Sequence, residues 1–254
     1  MPSEVHILCT CRNPALWRAS TLVFDTLRVG FPNARVFVYR NRLANHQIHE
    51  LHERLYGQAV EFLDVDTVHH EWILRLLATR QDPLFICDTD VVFWDSMERW
   101  DFDGESMAGR FTPDYFEPLI NARYHQRLHT AVMYLDPMRI QGGWRRYWRG
   151  VGHTHTPFKP AMPNLIWPMF HPMNGETWFY DTCALLYHAI GGRLFTEAQM
   201  DCFDHLNCGT YSDMASANSK ILGDIGVTHK AIFADPQILK GAWRRQDDYY
   251  AALA

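Results

Sequence analysis

The chain has 254 residues, 47% of them apolar and 14% aromatic, enough to bury a sizeable core in one large or two small domains. Its formal charge of −5 is spread along the sequence with no long basic or acidic block, which argues against a nucleic-acid tail or a charge-driven membrane anchor. No run approaches the roughly eighteen apolar residues of a membrane helix, so no membrane span is expected.

A strand-like segment, Val5 to Cys9, begins within a few residues of Met1, so a cleavable signal is not expected. The six cysteines (Cys9, Cys11, Cys87, Cys183, Cys202, Cys208) mostly sit in apolar segments and lack paired zinc spacing. They read as reduced thiols of a cytoplasmic protein, with a Cys202–Cys208 bridge as the minor alternative.

The first half alternates short β-branched runs with longer helical patterns, the signature of a parallel sheet flanked by helices. Strands are predicted at 4–10, 35–39, 59–63 and 83–87. Between the first two, Asn13-Pro14 signals a helix start, Leu16, Ala19, Val23 and Leu27 form one apolar stripe, and Gly30 ends a helix of about four turns. A second helix turns Ile48, Leu51 and Leu55 inward and stops at Gly57; a third starts near Asp66 or Thr67 and buries Ile73, Leu76 and Leu77.

The second half is mixed. Strands are predicted near 105–110 and at 129–135, the latter ending in Asp136-Pro137, followed by a helix through 138–149. Prolines 157, 160, 163, 168 and 172 mark an irregular, aromatic stretch. Asp181 then opens a helix from Cys183 to Ile190, closed by Gly191-Gly192, and Leu194-Phe195 reads as one more strand. With no flexible polar linker and no repeat, a single domain over 1–254 is expected.

In open α/β sheets ligands bind beyond the carboxyl ends of parallel strands. Thr10, Cys11 and Arg12 follow the first predicted strand, Asp64 and Asp66 the third, and Asp88, Thr89 and Asp90 the fourth. Asp88-Thr89-Asp90 lies between two apolar runs, Leu84 to Cys87 and Val91 to Trp94. Taking an unpaired carboxylate out of water costs several kcal/mol, on the order of 3 or more, so two at a buried strand mouth point to a hard divalent cation. The alternative is a strand cap and turn, which explains many isolated Asp-x-Asp pairs.

The chain resembles nucleotide-sugar glycosyltransferases of the GT-A fold. The resemblance rests on Leu84 to Trp94, like that family's strand with its Asp-x-Asp, on Leu128 to Asp136, like the strand after it, on Glu176-Thr177-Trp178-Phe179-Tyr180-Asp181, like the acidic segment opening the acceptor-site helix, and on Phe203 to Gly209, like the late His-plus-Gly segment. It implies a GT-A-like (Rossmann-like), mostly parallel central sheet flanked by helices, with a nucleotide-binding half (1–100) and an elaborated acceptor-binding half (101–254).

The resemblance further implies a metal-dependent, hexosyltransferase-type enzyme that moves a sugar from a nucleoside-diphosphate sugar, UDP on family grounds, to an unknown glycan or small-molecule hydroxyl. Asp90 becomes a direct ligand of Mn²⁺ or Mg²⁺, Asp88 a ligand or ribose contact, and His205 the remaining protein ligand, with His229 its competitor. Thr10, Arg12 and Thr89 would line the nucleotide. Asp181 is the candidate general base if the reaction inverts configuration, against the alternative of a plain helix cap, and Glu176 is in reserve. Tyr211-Ser212-Asp213 replaces the Lys-Pro-Trp of some retaining members and leaves the stereochemistry open.

Other patterns carry less. His46, His49 and His52 miss the zinc-protease spacing because position 53 is Glu, and read as a solvated helix face. Trp144 to Arg149 reads as a surface helix with its aromatics inward, while Trp167 and Trp178 could stack on sugars or serve the core. Asp88 to Asp95 also resembles the first motif of haloacid-dehalogenase-type phosphatases, with Asp88 as nucleophile and Lys220 and Gly223-Asp224 as later motifs. Against it, that motif usually opens its domain, Lys220 lies too near Gly223-Asp224, and Thr228 stands where an acid is wanted. A non-catalytic nucleotide-sugar-binding protein of the same fold is the third reading.

Overall fold

The computed structural model describes residues 2–10, 17, 21–117, 121–150, 165–205, 237 and 240–244, with the backbone alone at 117 and 145–150. The predicted alternation is present. Strands β1 (Glu4–Thr10), β2 (Arg35–Asn41), β3 (Val60–Val65) and β4 (Leu84–Cys87) enclose helices α1 (Val23–Gly30), α2 (Asn45–Arg54) and α3 (His69–Thr79). Short strand β5 (Val91–Phe93) follows, then β6 (Met107–Thr112), β7 (Tyr115–Glu117), β8 (Ala122–Tyr124), β9 (Arg127–Leu135) and α4 (Pro137–Gly150). Then come β10 (Met169–Met173), β11 (Glu176–Tyr180), α5 (Ala184–Ile190), β12 (Arg193–Leu194), α6 (Glu197–Met200) and β13 (Phe203–His205).

Among the described residues, seven strands form the central sheet in the order β12-β6-β9-β4-β1-β2-β3. It is a mixed α/β arrangement in which β9 alone runs against its neighbours β4 and β6. Alternate residues of each strand feed opposite faces. Val5, Ile7, Val36, Val38, Phe85 and Cys87 pack with α1 and α2, whereas Phe37, Tyr39, Leu84 and Ile86 pack with α3, α4 and α5. All four β4 residues are buried, as a strand covered on both faces requires.

Local chemistry explains the boundaries. Asp136 accepts from Arg139 N at 2.9 Å and Pro137 follows it, a cap and first-turn pair that starts α4. α3 begins later than Asp66 or Thr67 because the Asn41 amide clamps Thr67: Nδ2 donates to its carbonyl at 2.8 Å and Oδ1 accepts its N–H at 3.1 Å. The start of the first helix near Asn13-Pro14 lies outside the described residues.

The proline-rich stretch is not wholly irregular. Met169–Met173 forms β10 with Pro172 opposite Thr177, and β10 is an edge strand of the second sheet, β10-β11-β8-β7, where a residue without an N–H is tolerated. Cys9, Cys87, Cys183 and Cys202 are buried; Cys11 and Cys208 lie outside the described residues. No helix among the described residues is long and apolar enough to cross a membrane.

Candidate metal and ligand site

β4 ends at Cys87 in the middle of the sheet, and the next three residues are Asp88, Thr89 and Asp90. Two backbone bonds fix this turn: Asp88 N donates to Ala131 O at 2.8 Å on β9, and Val23 N donates to Thr89 O at 3.0 Å from the start of α1. The chain continues as β5, which pairs antiparallel with β13 so that His205 stands opposite Val91. That register carries His205 across 115 positions of sequence to Asp90, and its Nε2 lies 3.1 Å from Asp90 Oδ1 and 3.9 Å from Asp88 Oδ2.

One ligand atom from each of Asp88, Asp90 and His205 falls within 4.8 Å of the others. Asp90 and His205 are buried, and the Asp88 side chain keeps 30% of its exposure, so the cluster opens at Asp88. Burial pushes the Asp88 carboxyl up to about 7; His205 pulls it down, and the charges of Asp90 and Asp181 push it further up. Burial opposes protonation of His205, but Asp90 and then Asp88 outweigh it and raise its pKa. Two close carboxylates and an imidazole are therefore held together with one another's charge only partly neutralised, an arrangement that a dication completes.

The other predicted residues spread around this centre. Thr10 ends β1 and its hydroxyl accepts from Asn41 Nδ2 at 3.0 Å, so it belongs to the Asn41–Thr67 network at the carboxyl ends of β1 to β3. Asp64 and Asp66 instead pair with Arg40 and Arg42 at the surface. Asp181 does not cap α5, which is preceded by Cys183 at φ 65 with no side-chain cap. Its Oδ1 accepts from Thr182 N at 2.7 Å and its Oδ2 meets Arg127 Nη2 at 2.9 Å. Glu176 starts β11, five positions or roughly 16 Å of extended chain from Asp181, and lies 3.5 Å from Arg123. It is not gathered with the others. Arg12 and His229, and with them Lys220 and Gly223-Asp224, lie outside the described residues.

Three residues that the sequence reading passed over also face this centre. His69, the first residue of α3, has its Nε2 3.8 Å from Asp88 Oδ1, and burial lowers its pKa to about 4. His129 lies on β9 with its ring 5.0 Å from that of His205; its Nδ1 accepts from Ala131 N at 3.1 Å, and burial holds its pKa well below the usual range. Arg127, buried at the start of β9, orients Asp181. β9 runs antiparallel to β4, so its beginning, not its end, lies at the edge where the parallel strands stop. A scan of strand ends alone cannot find Arg127 and His129.

The chain is similar to solved glycosyltransferases. A galactosyltransferase, LgtC, in complex with donor and acceptor sugar analogs matches at 11% identity and a TM-score of 0.38, over 56% of this chain and 59% of that one. The bifunctional glycosyltransferase WbbM matches at 10% identity and a TM-score of 0.46, over 76% of this chain and 38% of that one. A mannosyltransferase from Pyrobaculum calidifontis in complex with GDP-Man and Mn²⁺ matches at 10% identity and a TM-score of 0.38, over 57% and 46%. This chain thus spans less than two thirds of each of these structures. A nucleoside-diphosphate-sugar pyrophosphorylase from Vibrio cholerae is also among the similar structures. No protein-family model and no curated protein sequence matches. At these identities and TM-scores the functional reading rests on the site's own geometry.

Proposed function

We propose that this protein is a metal-dependent glycosyltransferase that moves a sugar from a nucleoside-diphosphate sugar, with UDP as the nucleotide, to an acceptor hydroxyl. The observation that carries the reading is the Asp88, Asp90 and His205 cluster at the carboxyl edge of a mostly parallel sheet. Two carboxylate oxygens and one imidazole nitrogen suit a divalent ion, and the nitrogen donor favours Mn²⁺ over Mg²⁺. Bound there, such an ion would stabilise the negative charge that builds on the diphosphate as the glycosidic bond breaks.

The chain's own residues account for the rest. Asp90 and His205 are pre-assembled by their 3.1 Å contact and by the β5–β13 register, so little ordering remains when a ligand arrives. Thr89 keeps the turn closed through its carbonyl. Asp181, aimed by Arg127, takes the proton of the acceptor hydroxyl in an inverting reaction, the role in which a positioned carboxylate contributes most.

A thermal-shift series of nucleotides with and without Mn²⁺ tests this directly, because a ligand of the folded state alone raises its apparent stability. UDP should raise Tm only with Mn²⁺, and Asp90→Ala should abolish both that shift and nucleotide-sugar turnover while the chain remains folded. Covalent phosphate trapped on Asp88 would instead indicate a phosphatase. Nucleotide-sugar binding without transfer or hydrolysis would indicate a binding protein of the same fold.

A further inference from the structure

The Nε2 atom of His69 is buried and has no hydrogen-bond partner among the described residues. Asp88 Oδ1, at 3.8 Å, is beyond hydrogen-bond reach. The ring is held in place: it stacks on Trp72 with centroids 5.8 Å apart and planes 24° apart, and Trp72 is itself buried in the core beneath α3. A fixed, buried polar atom with nothing to bond to costs stability, and such an atom beside a candidate site calls for a ligand group that satisfies it.

That group is not the metal. His205 approaches Oδ2 of Asp88 whereas His69 approaches Oδ1, and the cluster of mutually close donor atoms contains Asp88, Asp90 and His205 without His69. A phosphate oxygen fits poorly too. It only accepts, so it could take the His69 N–H but would leave Asp88 Oδ1 facing a second acceptor. A hydroxyl suits both neighbours at once, since it accepts from an imidazole N–H and donates to a carboxylate oxygen.

We propose that His69 is a sugar-binding residue, its Nε2–H donating to a hydroxyl of the sugar carried by the donor nucleotide while Asp88 Oδ1 accepts from that same hydroxyl. The inference rests on the donor reading above and assigns it a selecting contact on α3.

Calorimetry with Mn²⁺ tests it, using UDP, UDP-glucose, UDP-galactose and UDP-N-acetylglucosamine as probes. The wild-type protein should bind at least one of the sugar nucleotides more tightly than UDP. His69→Phe, which keeps the stack on Trp72 and removes the N–H, should weaken that sugar nucleotide about three- to tenfold and leave UDP unchanged. His69→Gln, which restores an N–H donor, should recover part of the loss. Without ligand, His69→Phe should melt no lower than the wild type, because the unsatisfied atom is gone.

Undiminished sugar-nucleotide binding by His69→Phe overturns the proposal, as does an equal loss for UDP. A ligand-free Tm several degrees below wild type would show that His69 is structural and overturns it as well. If the wild type binds UDP with Mn²⁺ but gains nothing from any of the three sugars, the His69 assignment falls and the nucleotide reading stands. If it binds no UDP with Mn²⁺, the donor reading itself falls.

Discussion

His6 is wholly buried in the middle of β1, and its bonds define its protonation state. Its Nδ1 lies 3.0 Å from the Tyr39 hydroxyl and its Nε2 3.1 Å from Glu4 Oε2, which together suit a neutral ring that accepts on one side and donates on the other. Glu4 alone would favour a charged imidazole, but burial, then Arg80, then Arg35 outweigh it and lower the pKa to about 3. The unfolded chain takes up this proton near pH 6.5 and the folded chain near pH 3, so the folded state loses ground as pH falls between those values. The slope attributable to His6 is about 1.4 kcal/mol per pH unit, and its contribution is complete above pH 6.5. Urea unfolding at pH 6, 5 and 4 should show the wild type losing stability more steeply than His6→Phe, the difference approaching about 1.4 kcal/mol per pH unit, since the phenylalanine ring can still stack on Phe37 as the imidazole does at 4.7 Å. Equal slopes would mean that another group carries the acid sensitivity. The same contrast between pairing and burial operates at the site: His205→Ala should remove the Mn²⁺-dependent rise in Tm, because it deletes the nitrogen donor that the described residues give the cluster.

Elements, not single residues, bring the site together, and the pivotal one is a three-residue strand. β5 carries the chain away from Asp90, pairs with β13 and packs on α1, where Phe93 N donates to Thr26 Oγ1 at 2.9 Å. A Cβ on Gly30 would lie 2.4 Å from the Phe93 ring, so α1 reaches β5 only because its last residue has no side chain. Gly30→Ala should therefore cost about 1–3 kcal/mol, read as a lower urea midpoint at unchanged m-value; a neutral result would show that β5 can shift without penalty. Gly30 was legible in the sequence as a helix end, and its packing role was not. β1 to β4 were legible because runs covered on both faces are continuously apolar, and Asp88 and Asp90 because they interrupt such a run. β5 was legible as the apolar run after Asp90, whereas β7, β8 and β10 left no comparable trace: each is short, and β10 contains a proline that only its edge position explains. His69 was within reach of the strand-end rule, four residues beyond β3, but it read as part of a helix start.

At the scale of the whole molecule, the site depends on residues far apart in the chain meeting behind β13. Neighbours in a strand face opposite ways, so as His205 turns toward Asp90 its predecessor Asp204 turns the other way, into a buried position where three N–H groups converge. Trp94 Nε1 donates to it at 2.7 Å, Gly241 N at 2.8 Å and Trp243 N at 2.9 Å. Arg110 of β6 adds a bond from Nη2 to Trp243 O at 3.2 Å, and Asp201 accepts from Trp243 Nε1 at 3.0 Å. Nothing in the residue types near 204 or 241 announces this contact, since it depends on chain segments that pack only after the sheet exists. Its consequence is that β13 is held from both sides, by β5 on the site face and by the 241–243 segment behind. Asp204→Ala leaves three donors without their acceptor, at about 1–3 kcal/mol each when buried. Stability in urea should fall by on the order of 3 kcal/mol or more, and Mn²⁺ affinity, measured by titration at a temperature where the variant is still folded, should fall with it because His205 loses its backing. Asp204→Asn keeps one acceptor oxygen and should lie between the two. A variant that loses stability yet binds Mn²⁺ as tightly as the wild type would show that the β5 pairing alone positions His205, and that the distant segment serves the fold without serving the site.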